Sequence, residues 1–456
     1  MLVLALATLI ALSPAAPGFW PFGAGVALAD DDGGDGGDDG GDDGDGDDGD
    51  GDNGGAPAAR GRDAGDRPGQ RAAGPARARQ PAPRAETARA DIVAAEIVAL
   101  GLGSADIDVL VGRGYRVLDD RSLAALGGER ALRLAVPEGR SLEGARDELR
   151  SLVPGVAADF HHLYRAEQAP GGPEPSCRGQ ACGPRSQVNW PFSPDTPVPG
   201  CDPGGVVGMI DTGVNDTHPA LLGRVAVTRL DPGAQGASAD RHGTAVAALL
   251  VGAPGSTTPG LLHKTRLLAV DVFHKAGNDE RAGVFDLITG LDLLAAQGVR
   301  AVNLSLAGPP NMVLERVVDR LSRQGILLVA AVGNGGAQAG PAWPAAYPQV
   351  LAVTAVDAKD RIYRCAVQGP HVELAAPGVQ VWTAAPSRAG QARNGTSFAA
   401  PFVTAAAHVL MGRGLSAREA RLALAMAATD LGPPGPDQVF GHGLLHAGRI
   451  CDISAG

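Results

Sequence analysis

Apolar runs divide the chain beyond residue 90 into a regular succession of elements. Val206 to Ile210 is almost continuously apolar, as are Leu267 to Val272, Ala301 to Leu306, Ile326 to Ala331 and Val350 to Val353. Such runs fit parallel strands covered on both faces. Apolar residues recur at helical spacing in Phe285 to Gln297 and Val313 to Arg323, between strand candidates. Strand and helix therefore alternate, and the pattern predicts an α/β fold with a mainly parallel sheet sandwiched by helices. Further on, Phe398 to Leu410 is small and apolar, which predicts a buried helix, and Ser416 with Glu419 makes a capping-box signature.

A different pattern precedes this region. Ile92 to Leu100 reads as a strand, Ser104 to Val111 as a helix and Tyr115 to Leu118 as a strand, while Leu132, Leu134 and Val136 alternate as a strand does. Ser141 is placed to cap a helix with Leu142, Ala145, Leu149 and Leu152 on one face, and Val156 to Leu163 closes the series as a strand. The order βαββαβ over residues 90–165 predicts a small α+β domain.

Composition changes the picture at the N-terminus. The net charge of −11 is misleading, because residues 1–55 hold thirteen aspartates and no Lys or Arg, so the remainder sums to +2. Neither nucleic acid nor an anionic membrane is suggested as a partner. Met1 to Leu12 is apolar, Pro14 breaks it, and Ala27-Leu28-Ala29 offers a small-x-small cleavage site, so residues 1–29 are expected to be a signal peptide. The alternative is an uncleaved anchor, against which Pro14, Pro17, Pro21 and an apolar core shorter than about 20 residues argue. Residues 30–55 are almost wholly Asp and Gly, and residues 56–89 carry eight arginines against three acids. Neither tract can bury a core, so 30–89 reads as a disordered linker.

Three segments carry candidate chemistry. GVVGMIDTG brings Asp211 to the end of an apolar run, RHGTAVAALL opens a buried helix with His242, and NGTSFAAP sets Ser397 before another. A carboxylate, an imidazole and a hydroxyl at the ends of different elements are what a base-activated nucleophile requires. Taken singly each has an ordinary structural reading: a strand-end carboxylate, a core histidine, a serine near a helix start. Together they point to acyl transfer, with free N–H groups near Ser397 available to an oxyanion.

On these motifs, and on their Asp, His, Ser order, the chain resembles the subtilisin-like (subtilase, S8) serine peptidases over residues 186–450. The resemblance implies Asp211, His242 and Ser397 as catalytic residues. It implies Asn334 in VAAVGNGG as a side-chain donor of the oxyanion hole, although an asparagine there also suits a left-handed turn. Ser305, Leu306, Ala307 and Gly308 in NLSLAG fall on its substrate-lining strand. It also implies that residues 90–165 are a ferredoxin-like inhibitory prodomain acting on its own peptidase, and that 166–185 is a processing linker. Polypeptide substrates, a self-processed zymogen and a secreted or periplasmic location are the corresponding expectations, without stable membrane association.

The chain departs from the family in places. Ala245 stands where a second histidine is usual and Ala248 where a glycine is. The loop that in many relatives binds calcium is Gly252 to Gly260 here and contains no carboxylate, so no metal and no cofactor are expected. Around the expected S1 pocket, Leu306, Ala307, Gly308, Ala331 and Gly335 are small or apolar, which favours an undemanding P1 residue. Of the five cysteines, Cys177 and Cys182 are close enough for a local bridge, and any two of Cys201, Cys365 and Cys451 can pair. The rival reading is a non-catalytic peptide-binding protein on the same scaffold.

Overall fold

The computed structural model describes residues 91–166 and 183–453, except 194–195, 197, 200 and 231–234, and 387–389. The expected signal peptide, the linker at 30–89, most of the processing linker and the Cys177–Cys182 bridge lie outside the described residues.

Residues 91–166 contain β1 (Ile92–Leu100), α1 (Ser104–Gly112), β2 (Arg116–Leu123), β3 (Glu129–Ala135), α2 (Leu142–Leu152) and β4 (Ala157–Ala166). The strands lie in the order β2-β3-β1-β4, each pair antiparallel. Alternation along the strands gives this sheet two apolar faces. Ile97, Ala99, Leu132 and Leu134 pack with Leu110 and Leu149 of the helices into a separate core. Val98, Leu100, Ala131 and Ala157 point the other way and join the core of the larger domain. Ser141 caps α2, its Oγ accepting the Gly144 N–H at 3.1 Å. Two strands exceed their expected length. β2 continues through the polar Asp119 to Ser122, where no apolar signal marks it, because it pairs with β3 as far as Leu123 opposite Glu129. β4 continues past Leu163 because its last residues pair with the larger domain.

That domain contains, in order, α3 (Pro184–Gln187), β5 (Val206–Asp211), β6 (Val225–Arg229), β7 (Gly236–Ala237), α4 (Arg241–Val251), β8 (Arg266–Asp271), β9 (His274–Ala276) and β10 (Asp279–Gly283). It continues with α5 (Val284–Ala296), β11 (Ala301–Leu304), β12 (Leu306–Ala307), α6 (Met312–Arg323), β13 (Leu327–Ala331), β14 (Leu351–Val356) and β15 (Leu374–Pro377). It ends with β16 (Val381–Ala384), β17 (Gly390–Arg393), α7 (Ala400–Gly412) and α8 (Ala417–Ala427). Seven strands make one sheet in the order β6-β8-β5-β11-β13-β14-β15, every pair parallel. From β5 the chain runs to the edge strand β6, returns to β8 between them, and then crosses to β11 on the other side of β5. The crevice between such halves, at the carboxyl ends of the strands, is where open α/β sheets place their sites. The Ser416–Glu419 capping box forms at the start of α8.

The two regions cap each other's helices. Asp159 on β4 accepts the Met312 N–H at 2.9 Å, at the start of α6. Asp292 on α5 accepts the Ala124 and Ala125 N–H groups at 2.9 and 2.8 Å, where a 3-10 turn begins. Burial raises the pKa of Asp292, against the lowering effect of those N–H donors. Asn311 accepts the Val313 and Leu314 N–H groups and gives an Nδ2 hydrogen to the Phe160 carbonyl at 3.0 Å. Such caps contribute about 1 kcal/mol each.

Cys201 and Cys451 form a disulfide that joins the two ends of the larger domain, 250 residues apart, and Cys365 is a free thiol. Converting both Cys201 and Cys451 to alanine is expected to destabilise the fold by about 2–5 kcal/mol. Calorimetry of the variant, and of the native chain with and without reductant, checks this.

Candidate active site

β5 is buried along most of its length and delivers Asp211 to the carboxyl edge of the sheet. Asp211 Oδ1 accepts the Thr212 N–H at 2.7 Å and lies 2.6 Å from His242 Nδ1. Both side chains are almost wholly buried, at 0% and 1% exposure. With the carboxylate accepting, Nδ1 carries the hydrogen and Nε2 keeps its lone pair. His242 sits at the start of α4, and Gly243 allows this approach: a Cβ there would stand 2.4 Å from the Thr212 carbonyl oxygen. The Phe398 ring packs on the imidazole, with centroids 5.5 Å apart.

Ser397 occupies a 3-10 turn, Thr396–Phe398, and the α-helix begins only at Ala400, later than the expected Phe398. The turn is set up by Gly395, whose φ of +144° favours glycine. Pro401 falls in the first turn of α7, where its missing N–H costs least. Composition alone does not distinguish a tight turn from the first turn of a small-residue helix.

Ser305 is held against Ser397 in both directions. Its carbonyl lies 3.4 Å from Ser397 Oγ, and its hydroxyl donates to the Ser397 carbonyl at 3.0 Å. Behind it, Asn303 Nδ2 donates to Ser305 Oγ at 2.9 Å and Thr404 Oγ1 donates to Asn303 Oδ1 at 3.1 Å. This buried chain ties the strand end to α7 and fixes the backbone of the serine. Periodicity gave no sign of it, because its members come together only through the fold.

Asn334 follows β13. Its Oδ1 accepts the Thr396 N–H at 3.0 Å and the Thr396 hydroxyl at 3.1 Å, which orients the amide beside the serine turn. The left-handed residue here is Gly333, at φ +100°, and Asn334 itself is not in that conformation. Leu306 and Ala307 form β12, which pairs antiparallel with Ala166 and Arg165 of β4. On β4's other side, Tyr164 and Leu163 pair with Ala282 and Gly283 of β10. A Cβ on Gly308 would stand 2.5 Å from Tyr164 Cδ1, and the Tyr164 hydroxyl donates to the Pro309 carbonyl at 2.9 Å. The edge at Ser305 to Gly308 is therefore already filled, by a strand of the N-terminal region.

The Gly252 to Gly260 loop is held by a guanidinium. Arg185 in α3 donates from Nη2 to the Pro259 carbonyl at 3.0 Å and also to that of Gly260, and burial lowers its pKa to about 10. This contact leaves no trace in the sequence, since a single arginine in a Gly/Pro-rich stretch carries no pattern. Among the described residues no group of three or more His, Cys, Asp or Glu is placed to hold a metal ion, and no helix is long and apolar enough to cross a membrane.

A parallel sheet with a buried Asp–His pair and a serine turn at its carboxyl edge is an arrangement that serine peptidases of α/β fold share. The subtilase family model matches residues 202–443, and the chain belongs to this family of serine peptidases. It is 31% identical to subtilisin DY of Bacillus licheniformis over 247 residues, which is 53% of this chain and 88% of that protein. It is also 31% identical to thermitase of Thermoactinomyces vulgaris over 237 residues, 51% of this chain and 84% of that one. Among solved structures, fervidolysin of Fervidobacterium pennivorans, described as a keratinolytic enzyme related to subtilisin, superposes with a TM-score of 0.65 at 18% identity. That match covers 81% of this chain and 63% of fervidolysin, and supports the fold.

Ser305→Ala removes a donor to the Ser397 carbonyl and an acceptor for Asn303. The variant is expected to lose about 1–3 kcal/mol in denaturant unfolding and to react more slowly with a fluorophosphonate.

Proposed function

We propose that this chain is an exported serine endopeptidase made as a self-processed zymogen. Ser397 Oγ attacks a peptide carbonyl carbon while its proton passes to His242 Nε2. Asp211 keeps the imidazole in the required tautomer and stabilises its protonated form. The oxyanion is held by the Asn334 amide and the Ser397 N–H. The intermediate collapses with the proton delivered to the leaving amine, giving an acyl-enzyme. Water, deprotonated by His242, then releases the acid. The reading is carried by the buried 2.6 Å contact between Asp211 and His242 at the same sheet edge as the Ser397 turn.

Residues 90–165 act in this proposal as an intramolecular inhibitor. Support comes from β4, which runs antiparallel to Leu306 and Ala307 as an extended peptide substrate would. The chain is cut between Arg165 and Ser186 by its own active site, residues 1–29 are removed on export, and the mature enzyme works outside the cytoplasm. Its substrates are polypeptides able to adopt an extended strand.

Full-length Ser397→Ala is expected to remain uncut and to take no fluorophosphonate label, whereas the native chain labels at Ser397 and shortens. A native chain that is folded yet unlabelled would favour the non-catalytic binding protein. Asn334→Ala is expected to lower kcat by about a hundred- to a thousandfold with little change in KM, the size known for the equivalent donor in subtilisin itself. Steady-state kinetics on a peptide substrate checks this.

A further inference from the structure

The groove edge beside Ser397 reads its occupant in a definite register. Ala166 pairs with Leu306 and Arg165 with Ala307, and the position before Leu306 is Ser305, whose carbonyl touches Ser397 Oγ. A peptide bound in the same register places the residue to be cleaved, P1, beside Ser305. P3 then lies at Ala307, where Arg165 lies now.

Arg165 is gripped by the larger domain. Its Nε donates to Asp279 Oδ1 at 3.0 Å and its Nη2 to Asp279 Oδ2 at 3.1 Å, a two-pronged contact that matches a planar guanidinium to a carboxylate. The two side chains are only 18% and 19% exposed. A third contact, Arg165 Nη1 to Asp91 Oδ1 at 3.1 Å, comes from the N-terminal region and reaches an aspartate that is 67% exposed. Asp279 begins β10, the strand on the other side of β4. Tyr164 opposes Ala282, so continuing the register sets Arg165 opposite Arg281, with Asp279 on the diagonal of the same face. Arg281 Nη1 is 3.6 Å from Asp279 Oδ2, so one carboxylate stands between two guanidinium groups.

We propose that Asp279 is a specificity-determining residue that selects a basic side chain, arginine above all, at P3 of peptide substrates. This rests on the peptidase reading above and names a preference of that same site. The aspartate sits on the flanking strand, so it remains when β4 leaves, and a substrate arginine takes the place of Arg165. The residues expected around S1 are small or apolar, and the charge that discriminates lies two positions away. Without Asp279, Arg281 faces the incoming P3 side chain alone, and the preference turns toward an acidic residue.

The test uses the full-length chain after self-processing, with active sites counted by fluorophosphonate and the cut position verified by mass spectrometry. Peptides identical except at P3 carry arginine, norleucine or glutamate. Arginine is expected to exceed norleucine in kcat/KM by about fivefold and glutamate by more, as a partly shielded, bidentate ion pair would. Raising the salt concentration should shrink the difference. In Asp279→Ala the ratio of arginine to glutamate should fall at least tenfold, and Asp279→Lys should reverse it. A native enzyme that cuts all three peptides within twofold of one another overturns the proposal, even if the variants fail to mature, and leaves the peptidase reading intact. An unchanged ratio in Asp279→Ala also overturns it. A native chain that takes no label and cuts no peptide removes both readings together.

Discussion

Backbone pairing of β4 between two edges of the larger domain governs much of this structure. At one edge Leu306 and Ala307 meet Arg165 and Ala166, and at the other Ala282 and Gly283 meet Leu163 and Tyr164. Such pairing is tolerant of sequence, because main-chain groups carry it, while the alternating side chains are read by whatever surrounds them. The arrangement explains why the N-terminal sheet has a second apolar face, since Val98, Leu100 and Ala131 would otherwise meet water. It also explains the mutual caps by Asp159 and Asp292. A strand seated in a groove is held in register only if the bodies on either side are fixed relative to each other.

The carboxyl edge of the parallel sheet depends on a different balance of polar groups. Asp211, His242, Asn303, Ser305 and Ser397 are all buried, and burying so many hydrogen-bonding groups is unfavourable unless they satisfy one another. The line from Thr404 through Asn303 and Ser305 to the Ser397 carbonyl does this on the serine side, and the Thr212 N–H and His242 Nδ1 do it for Asp211 Oδ1, while Asp211 Oδ2 and His242 Nε2 are buried without a hydrogen-bond partner among the described residues. The backbone of the serine is thereby held in place. Pre-positioned groups need no reorganisation during reaction, which is where much of the advantage of such sites lies.

Much of this was legible in the chain itself, and for identifiable reasons. The parallel strands are long apolar runs, and Asp211 is legible because it interrupts one at its end. His242 stands in the first turn of one small, apolar helix and Ser397 shortly before another. What stayed hidden has no periodic signature. β10 reads Asp-Glu-Arg-Ala-Gly, which announces neither strand nor subsite, and the role of Arg165 exists only once β4 is laid against it. β2 escaped in part because its exposed face is charged. The offset between Ser397 and the start of α7 was invisible because small apolar residues suit both a 3-10 turn and an α-helix.

The bond between Cys201 and Cys451 bears on how such a molecule survives among copies of itself. A groove that accepts extended chain attacks whatever can fray, and domain ends fray first. Cross-linking those ends turns the larger domain into a closed ring, and Arg185 clasps the segment just ahead of it. A neighbouring molecule then finds the described ends of the larger domain tied down, and digestion from those ends has to wait for a larger opening of the fold.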